Sequence, residues 1–150
     1  MKNIATTRFG NLEIDEAEII RFPDGIPGFL EEKEFVMIPL GENEPFVFLQ
    51  SLKEGDLAFL LTNPFLFFKD YEFVLPDEIL AMLEIKESTD FATYSILSIP
   101  DKNIKNMTAN LVAPLIINLN TKQACQVVLE KTVYTTRHRL FQEESAERGR

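Results

Sequence analysis

The sequence is poor in the residues from which most protein chemistry is built. Among its 150 residues there is one cysteine, Cys125, and one histidine, His138. A single thiol closes no internal disulfide, and one Cys with one His cannot supply a zinc site of the usual four-ligand kind. Cys125 lies in the alternating run Gln123-Ala124-Cys125-Gln126-Val127-Val128-Leu129, where it reads as a small apolar core residue. There is no glycine-rich phosphate loop. The acidic stretches Gly41-Glu42-Asn43-Glu44 and Lys53-Glu54-Gly55-Asp56 lack the ligand spacing of an EF-hand. The paired carboxylates Asp15-Glu16 and Glu31-Glu32 read as solvated surface, because an acid–base pair needs burial and opposed environments to separate its pKa values. The residues therefore predict no catalytic group, no metal and no cofactor. No apolar run approaches the roughly 18 residues of a membrane span. The start, Met1-Lys2-Asn3-Ile4, lacks the apolar stretch of a signal peptide, so a cytoplasmic protein without membrane association is expected.

What the chain does have is negative charge and apolar bulk. The net charge is −9, with 45% hydrophobic residues, which fits one globular domain with a real core. The charge is uneven. Residues 1–130 carry 21 acidic and 10 basic side chains, a balance of −11, and residues 131–150 carry 3 and 5, a balance of +2. So acidic a body repels phosphate backbones, which argues against direct nucleic-acid binding. It serves solubility, and it would attract a basic protein partner.

There are no repeats, low-complexity tracts or linkers. Short alternating runs follow one another closely, broken by Gly, Pro and Asn. A hairpin is expected from Ile4–Phe9 and Leu12–Ile14, turning at Arg8–Leu12. Further strands are expected at Glu18–Phe22, Phe35–Leu40, Phe46–Ser51, Leu57–Thr62, Tyr71–Leu75, Ala92–Pro100, Met107–Leu111, Leu115–Leu119 and Gln126–Leu129. One helical turn suits Leu30–Glu34. Pro76–Leu83 is the best helix, with proline and two acids at its start. The pattern predicts a mainly β fold: a small antiparallel β-barrel-like domain or sandwich with one or two short helices, spanning residues 1–141. Residues 142–150 are polar and are expected to form a flexible tail.

Two stretches stand out. Phe22-Pro23-Asp24-Gly25-Ile26-Pro27-Gly28-Phe29 joins two prolines and two glycines with large apolar residues, which makes a rigid corner between strands. Phe65, Phe67, Phe68, Tyr71 and Phe73 put five aromatics into nine residues behind Pro64. This cluster is either a core-filling bend or, in part, an exposed patch for a protein partner. Asn106, Asn110, Asn118 and Asn120 fall at strand ends, where asparagine caps turns.

Over nearly its whole length the chain resembles the FliW family of bacterial flagellar assembly factors. The resemblance rests on Phe22 with Gly25-Ile26-Pro27-Gly28-Phe29, Pro45-Phe46 with Leu49-Gln50-Ser51, and Pro64 with Tyr71. It continues in Asn110-Leu111 with Ala113-Pro114, and in Gln126 with Val128-Leu129. Each match alone is weak; their order and spacing together are specific. The resemblance implies a small β-barrel-like fold and a non-enzymatic regulator with two protein partners. One is flagellin, held before secretion. The other is CsrA, a small RNA-binding translational repressor whose hold on messenger RNA the regulator relieves. A small barrel enzyme or ligand-binding domain, with a pocket beside the Phe22–Phe29 corner, is the other reading. The family supplies no short motif for binding residues, so these come from chemistry. Phe65, Phe67, Phe68 and Tyr71 are the candidate apolar anchors for an amphipathic flagellin helix. Glu42, Glu44, Glu54 and Asp56 are the candidates for steering CsrA. Phe22, Gly25, Pro27, Gly28, Asn110 and Pro114 are expected to be structural.

Overall fold

A computed structural model of the chain describes residues 1–141. The expected tail at 142–150 lies outside the described residues. Strands β1 (Lys2–Thr6) and β2 (Gly10–Ile14) form an antiparallel hairpin. The Thr6 hydroxyl donates to the Gly10 carbonyl and accepts from the Phe9 N–H, both at 2.8 Å. The turn is Thr7–Phe9 rather than Arg8–Leu12, because Gly10, Asn11 and Leu12 already pair with Thr6, Ala5 and Ile4. The chain then runs through β3 (Ile20–Arg21), the proline–glycine corner, β4 (Glu34–Pro39), β5 (Phe46–Ser51) and β6 (Ala58–Thr62). A stretch holding the helix α1 (Asp77–Met82) leads to β7 (Phe91–Ser98). The last strands are β8 (Thr108–Ala109), β9 (Leu115–Asn118), β10 (Ala124–Gln126) and β11 (His138–Arg139).

Among the described residues these make the hairpin and one nine-stranded sheet. The sheet order is β10-β9-β7-β6-β5-β4-β3, every neighbour antiparallel. β8 continues beside β7 beyond the end of β9, and β11 pairs with β8. The sheet curls until its ends touch. There the Arg21 N–H donates to the Lys122 carbonyl at 2.9 Å, and Arg21 makes a single parallel bridge with Gln123. The mainly β, antiparallel fold with little helix is as expected. The barrel is not closed: one bridge, not a ladder, joins its edges.

The concave side holds the main core. Phe22, Phe35, Leu49, Leu61 and Leu115 are fully buried there, each worth about 1.5–3 kcal/mol of transfer free energy. Three clusters cover the convex side. Ile4, Ile14 and Ile19 pack on Val36 of β4. Leu75, Leu83 and Ile85, around α1, pack on Ile116 of β9. Tyr71, Met107, Leu111 and Leu140 pack on Leu97 of β7, with Phe67, Phe68 and Tyr134 beside them.

Several expected elements differ. Tyr71–Leu75 is extended but unpaired among the described residues, because its alternating side chains pack on the sheet's outer face instead of a strand edge. Leu30–Glu34 is not helical; it turns, and Glu34 already belongs to β4. The expected strand Glu18–Phe22 shrinks to Ile20–Arg21, since Glu16–Glu18 forms a 3₁₀ turn under the Asp15 carboxylate. Met107–Leu111 pairs only at Thr108–Ala109, and Gln126–Leu129 gives way to Ala124–Gln126. The helix stands where expected, beginning just after Pro76 with Asp77 and Glu78 in its first turn.

The corner between β3 and β4 turns on two glycines in the left-handed region. Gly25 has φ +72° and Gly28 has φ +92°. A side chain at Gly25 would put its Cβ 2.5 Å from the Leu30 carbonyl oxygen. Phe22 is buried edge-on against Phe35, with ring centroids 5.5 Å apart, and Ile26 is buried beside them. At the other motif, the Asn110 side chain accepts from the Ala113 N–H at 3.0 Å and the Pro114 carbonyl accepts from the Val127 N–H at 2.9 Å. The buried Asn118 donates to the Leu83 carbonyl at 2.6 Å and accepts from Asn120 and Thr121, which ties α1 to the β9–β10 turn.

Candidate partner-binding cleft

After β6 the chain leaves the sheet at Asn63. The Asn63 carboxamide accepts from the Phe65 N–H at 2.9 Å and Pro64 opens a single 3₁₀ turn, a preset cap and first turn. This turn sends the aromatics in different directions. Tyr71 is 4% exposed, and its hydroxyl donates to the buried Leu111 carbonyl at 2.6 Å. Burial first, and the neighbouring Tyr134 second, push its phenol pKa well up. Phe67 and Phe68 are half-buried, Phe67 stacked on Phe46 at 5.9 Å and Phe68 edge-on to His138 at 6.1 Å. Phe65 is 43% exposed and Leu66 59% exposed. The aromatic stretch is thus both things at once: a buried tyrosine, two half-buried rings and one open phenylalanine.

Phe65 forms part of the wall of a cleft of about 710 Å³, within the usual range of ligand clefts. Tyr71, Phe73 and Leu75 continue that wall, Leu80 of α1 and Ile85 form the next side, and Phe91 to Tyr94 of β7 close it. The rim at Lys86–Asp90 is held by the Asp90 carboxylate, which accepts from the N–H groups of Lys86 and Glu87 at 3.1 and 2.9 Å. Glu72 and Glu87 stand on this rim with Lys86. Val74, at its lip, is 89% exposed. Phe73, Leu75, Leu80, Ile85 and the β7 residues are absent from the candidates drawn from sequence. The alternation of Tyr71–Leu75 was the available signal, since it marked a chain with one apolar face.

The acidic candidates do not form one patch. Glu42 and Glu44 are exposed in the β4–β5 loop; Glu54 and Asp56 are exposed in the β5–β6 loop. β5 lies between them, so the loops sit at opposite ends of a six-residue strand, roughly 20 Å apart at about 3.3 Å per residue. Asp56 is further committed to the hairpin, accepting from the Thr7 hydroxyl. Cys125 is half-buried, and burial, then the Asp24 charge, push its thiol up to about 11. Beside the Phe22 corner there is a second cleft of about 440 Å³, where Arg21 pairs with Glu34 at 3.3 Å. The interior of the curled sheet is filled by the main core. Among the described residues no three His, Cys, Asp or Glu side chains converge as a metal site, and no helix is long and apolar enough to cross a membrane.

A family model described as FliW protein matches residues 3–140. The chain belongs to the FliW family. A flagellar assembly factor FliW from Desulfitobacterium hafniense (strain DSM 10664 / DCB-2) is 50% identical over 144 residues, covering 96% of this chain and 94% of that protein. One from Moorella thermoacetica is 46% identical over 140 residues, covering 93% and 89%. A crystal structure of the flagellar assembly factor FliW superposes with a TM-score of 0.89 at 45% identity, covering 95% of this chain and 99% of that one. The curled sheet and its convex cover are therefore a FliW fold. Within it Phe22 is fully buried, Gly25 lies against the Leu30 backbone and Asn110 accepts from the Ala113 N–H.

Proposed function

We propose that this protein is a cytoplasmic, non-enzymatic regulator of flagellar assembly that binds flagellin and CsrA by turns. Free, it lowers the hold of CsrA on messenger RNA and so permits flagellin translation. Flagellin that accumulates draws it away, and repression returns. The observation that carries the reading is the apolar cleft, walled in part by exposed Phe65, on a member of a family whose relatives are named flagellar assembly factors. The cleft offers flagellin an apolar seat walled by Phe65, Tyr71 and Phe73; Phe67 and Phe68 do not line it and pack on Phe46 and His138 instead. The acidic body offers CsrA a charge opposite to the one it needs for RNA, which disfavours phosphate nearby.

Purified components test this. CsrA affinity for a flagellin leader RNA should fall when the protein is added, and should recover when flagellin is added next. CsrA binding should weaken with salt. Phe65→Ala should lose roughly ten-fold or more of flagellin affinity, about 1–2 kcal/mol, with an unchanged melting temperature. An RNA affinity that saturating protein leaves untouched would sink the switch. If each of Phe65, Phe67, Phe68 and Tyr71 loses flagellin only when its alanine variant also unfolds, the flagellin surface lies elsewhere.

A further inference from the structure

β7 is paired unequally on its two sides. Toward β8 and β9 its ladder runs from Phe91 to Tyr94 and resumes at Leu97 and Ser98. Toward β6 it is paired only at Ser95 and Ile96, because β6 ends at Thr62 and the chain turns away through Pro64. The direction of the backbone groups follows from two hydrogen bonds. The carbonyls of Asp90 and Ile96 accept from Leu119 and Asn110, on the β9 side. Backbone groups alternate along a strand, so the N–H and C=O of Phe91 and Thr93 face the other way, into the cleft. Among the described residues no hydrogen bond reaches them from that side. An apolar cleft thus has, along one wall, the peptide groups of two residues with no partner among the described residues.

We propose that this cleft receives a partner by strand addition: an extended segment pairs with the open edge at Phe91 and Thr93, in the lane that β6 vacates. The inference rests on reading the cleft as a partner site, but not on which protein supplies the segment. An unpaired strand edge is a template for another chain, and main-chain pairing with side-chain pockets on alternate residues is an established recognition mode. The walls specify the rest. Phe65, Phe73, Leu80 and Ile85 ask for large apolar side chains at alternate positions. Rim carboxylates Glu72 and Glu87, on a molecule of net charge −9, ask for Lys or Arg between or beside them. A helix fits this wall worse, since its own backbone groups are already used and would leave Phe91 and Thr93 unpaired. The chain's own residues 142–150 match poorly, with Ala146 their one apolar side chain.

The probe is a displayed library of random twelve-residue peptides selected on the full-length protein. Selected peptides should carry large apolar residues at every second position, with Lys or Arg near them. They should slow amide exchange at Phe91 and Thr93 at least ten-fold. N-methylation of alternate peptide amides should abolish binding in one register and spare it in the other. Thr93→Pro, which removes an edge N–H that the β9 ladder does not use, should weaken binding more than ten-fold; if that variant does not fold, the N-methyl series on the native chain decides alone. Peptides with apolar residues every three or four positions, or none that protect Phe91 and Thr93, overturn the proposal. So does protection of those amides already present in the free chain, which would put residues 142–150 or a second copy on the edge. Flagellin and CsrA are measured in parallel: if neither binds while the peptides still add as strands, the regulatory reading fails and this one stands.

Discussion

Tyr71 and Phe65 sit six positions apart in one aromatic stretch and perform different work. Their rings touch, with centroids 5.5 Å apart. Tyr71 also spans to Leu111, forty residues on, through its hydroxyl. Tyr71→Phe keeps the ring and leaves that buried carbonyl unpaired, so it should cost about 1–3 kcal/mol in a denaturant titration. In a chain of this size that lowers the melting temperature by roughly 2–4 °C per kcal/mol. The raised pKa makes a second prediction. Folding favours the protonated phenol, so its contribution is full below the ordinary tyrosine value of 10.0 and is lost as pH rises above it. Stability should therefore fall as pH rises above about 10, and Tyr71→Phe should flatten that fall. Tyr94, raised by burial alone, adds to the same slope and remains in the variant. An equal slope in both proteins would show that Tyr71 is not the group responsible. No sequence pattern separates these two aromatics. Burial depends on where the chain leaves the sheet, and that is decided by Pro64 and by packing partners beyond residue 107.

At the scale of elements, the proline–glycine corner offers a clean contrast. Gly25 and Gly28 both have positive φ, but only at Gly25 does backbone block a side chain. Gly28→Ala should cost about 1–2 kcal/mol for the left-handed conformation alone. Gly25→Ala should cost clearly more, because the Leu30 carbonyl has to move as well. Equal losses in urea melts would mean that the corner gives way freely. This corner was legible because its glycines and prolines act locally. So were β5, found at Phe46–Ser51 as expected, and the helix after Pro76, whose start signals are local too. Tyr71–Leu75 misled for a physical reason. Period-two alternation reports an extended chain with one packed face; it does not report a neighbour to pair with. The same limit hid the open edge of β7, since a strand's own residues say nothing of where β6 ends.

Across the whole molecule, net charge was legible and its placement was not. Glu42 and Glu44 lie at the end of β5 where Phe46 pairs with Thr62, near the start of the cleft; Glu54 and Asp56 lie at the other end. Reversing the two pairs separately should therefore split the electrostatic effect. The pair nearer the bound CsrA should lower the association rate several-fold and reduce its salt dependence, while dissociation changes little. The distant pair should do less, although Asp56→Lys also releases Thr7 and loosens the hairpin. If neither pair changes the association rate, steering by these loops is wrong. The cleft was only partly foreseen, through Phe65 and Tyr71. Its other walls come from α1 and β7, brought beside them because the stretch from Asn63 to Asp90 folds back over β7.

That curl ends in the bond between Arg21 and Lys122. Closing a loop of about a hundred residues costs on the order of 4 kcal/mol of chain entropy, against about 1 kcal/mol for one hydrogen bond. The seam cannot drive folding; it forms only after the intervening strands have brought its two sides together. It should then be the last join made and the first to loosen. In native-state hydrogen exchange the Arg21 amide should open far more readily than the amides of Leu49 or Leu61, through a local fluctuation that leaves the rest of the sheet standing. The domain behaves as a wrapped garment with one button: it can part at the front while the cloth stays whole.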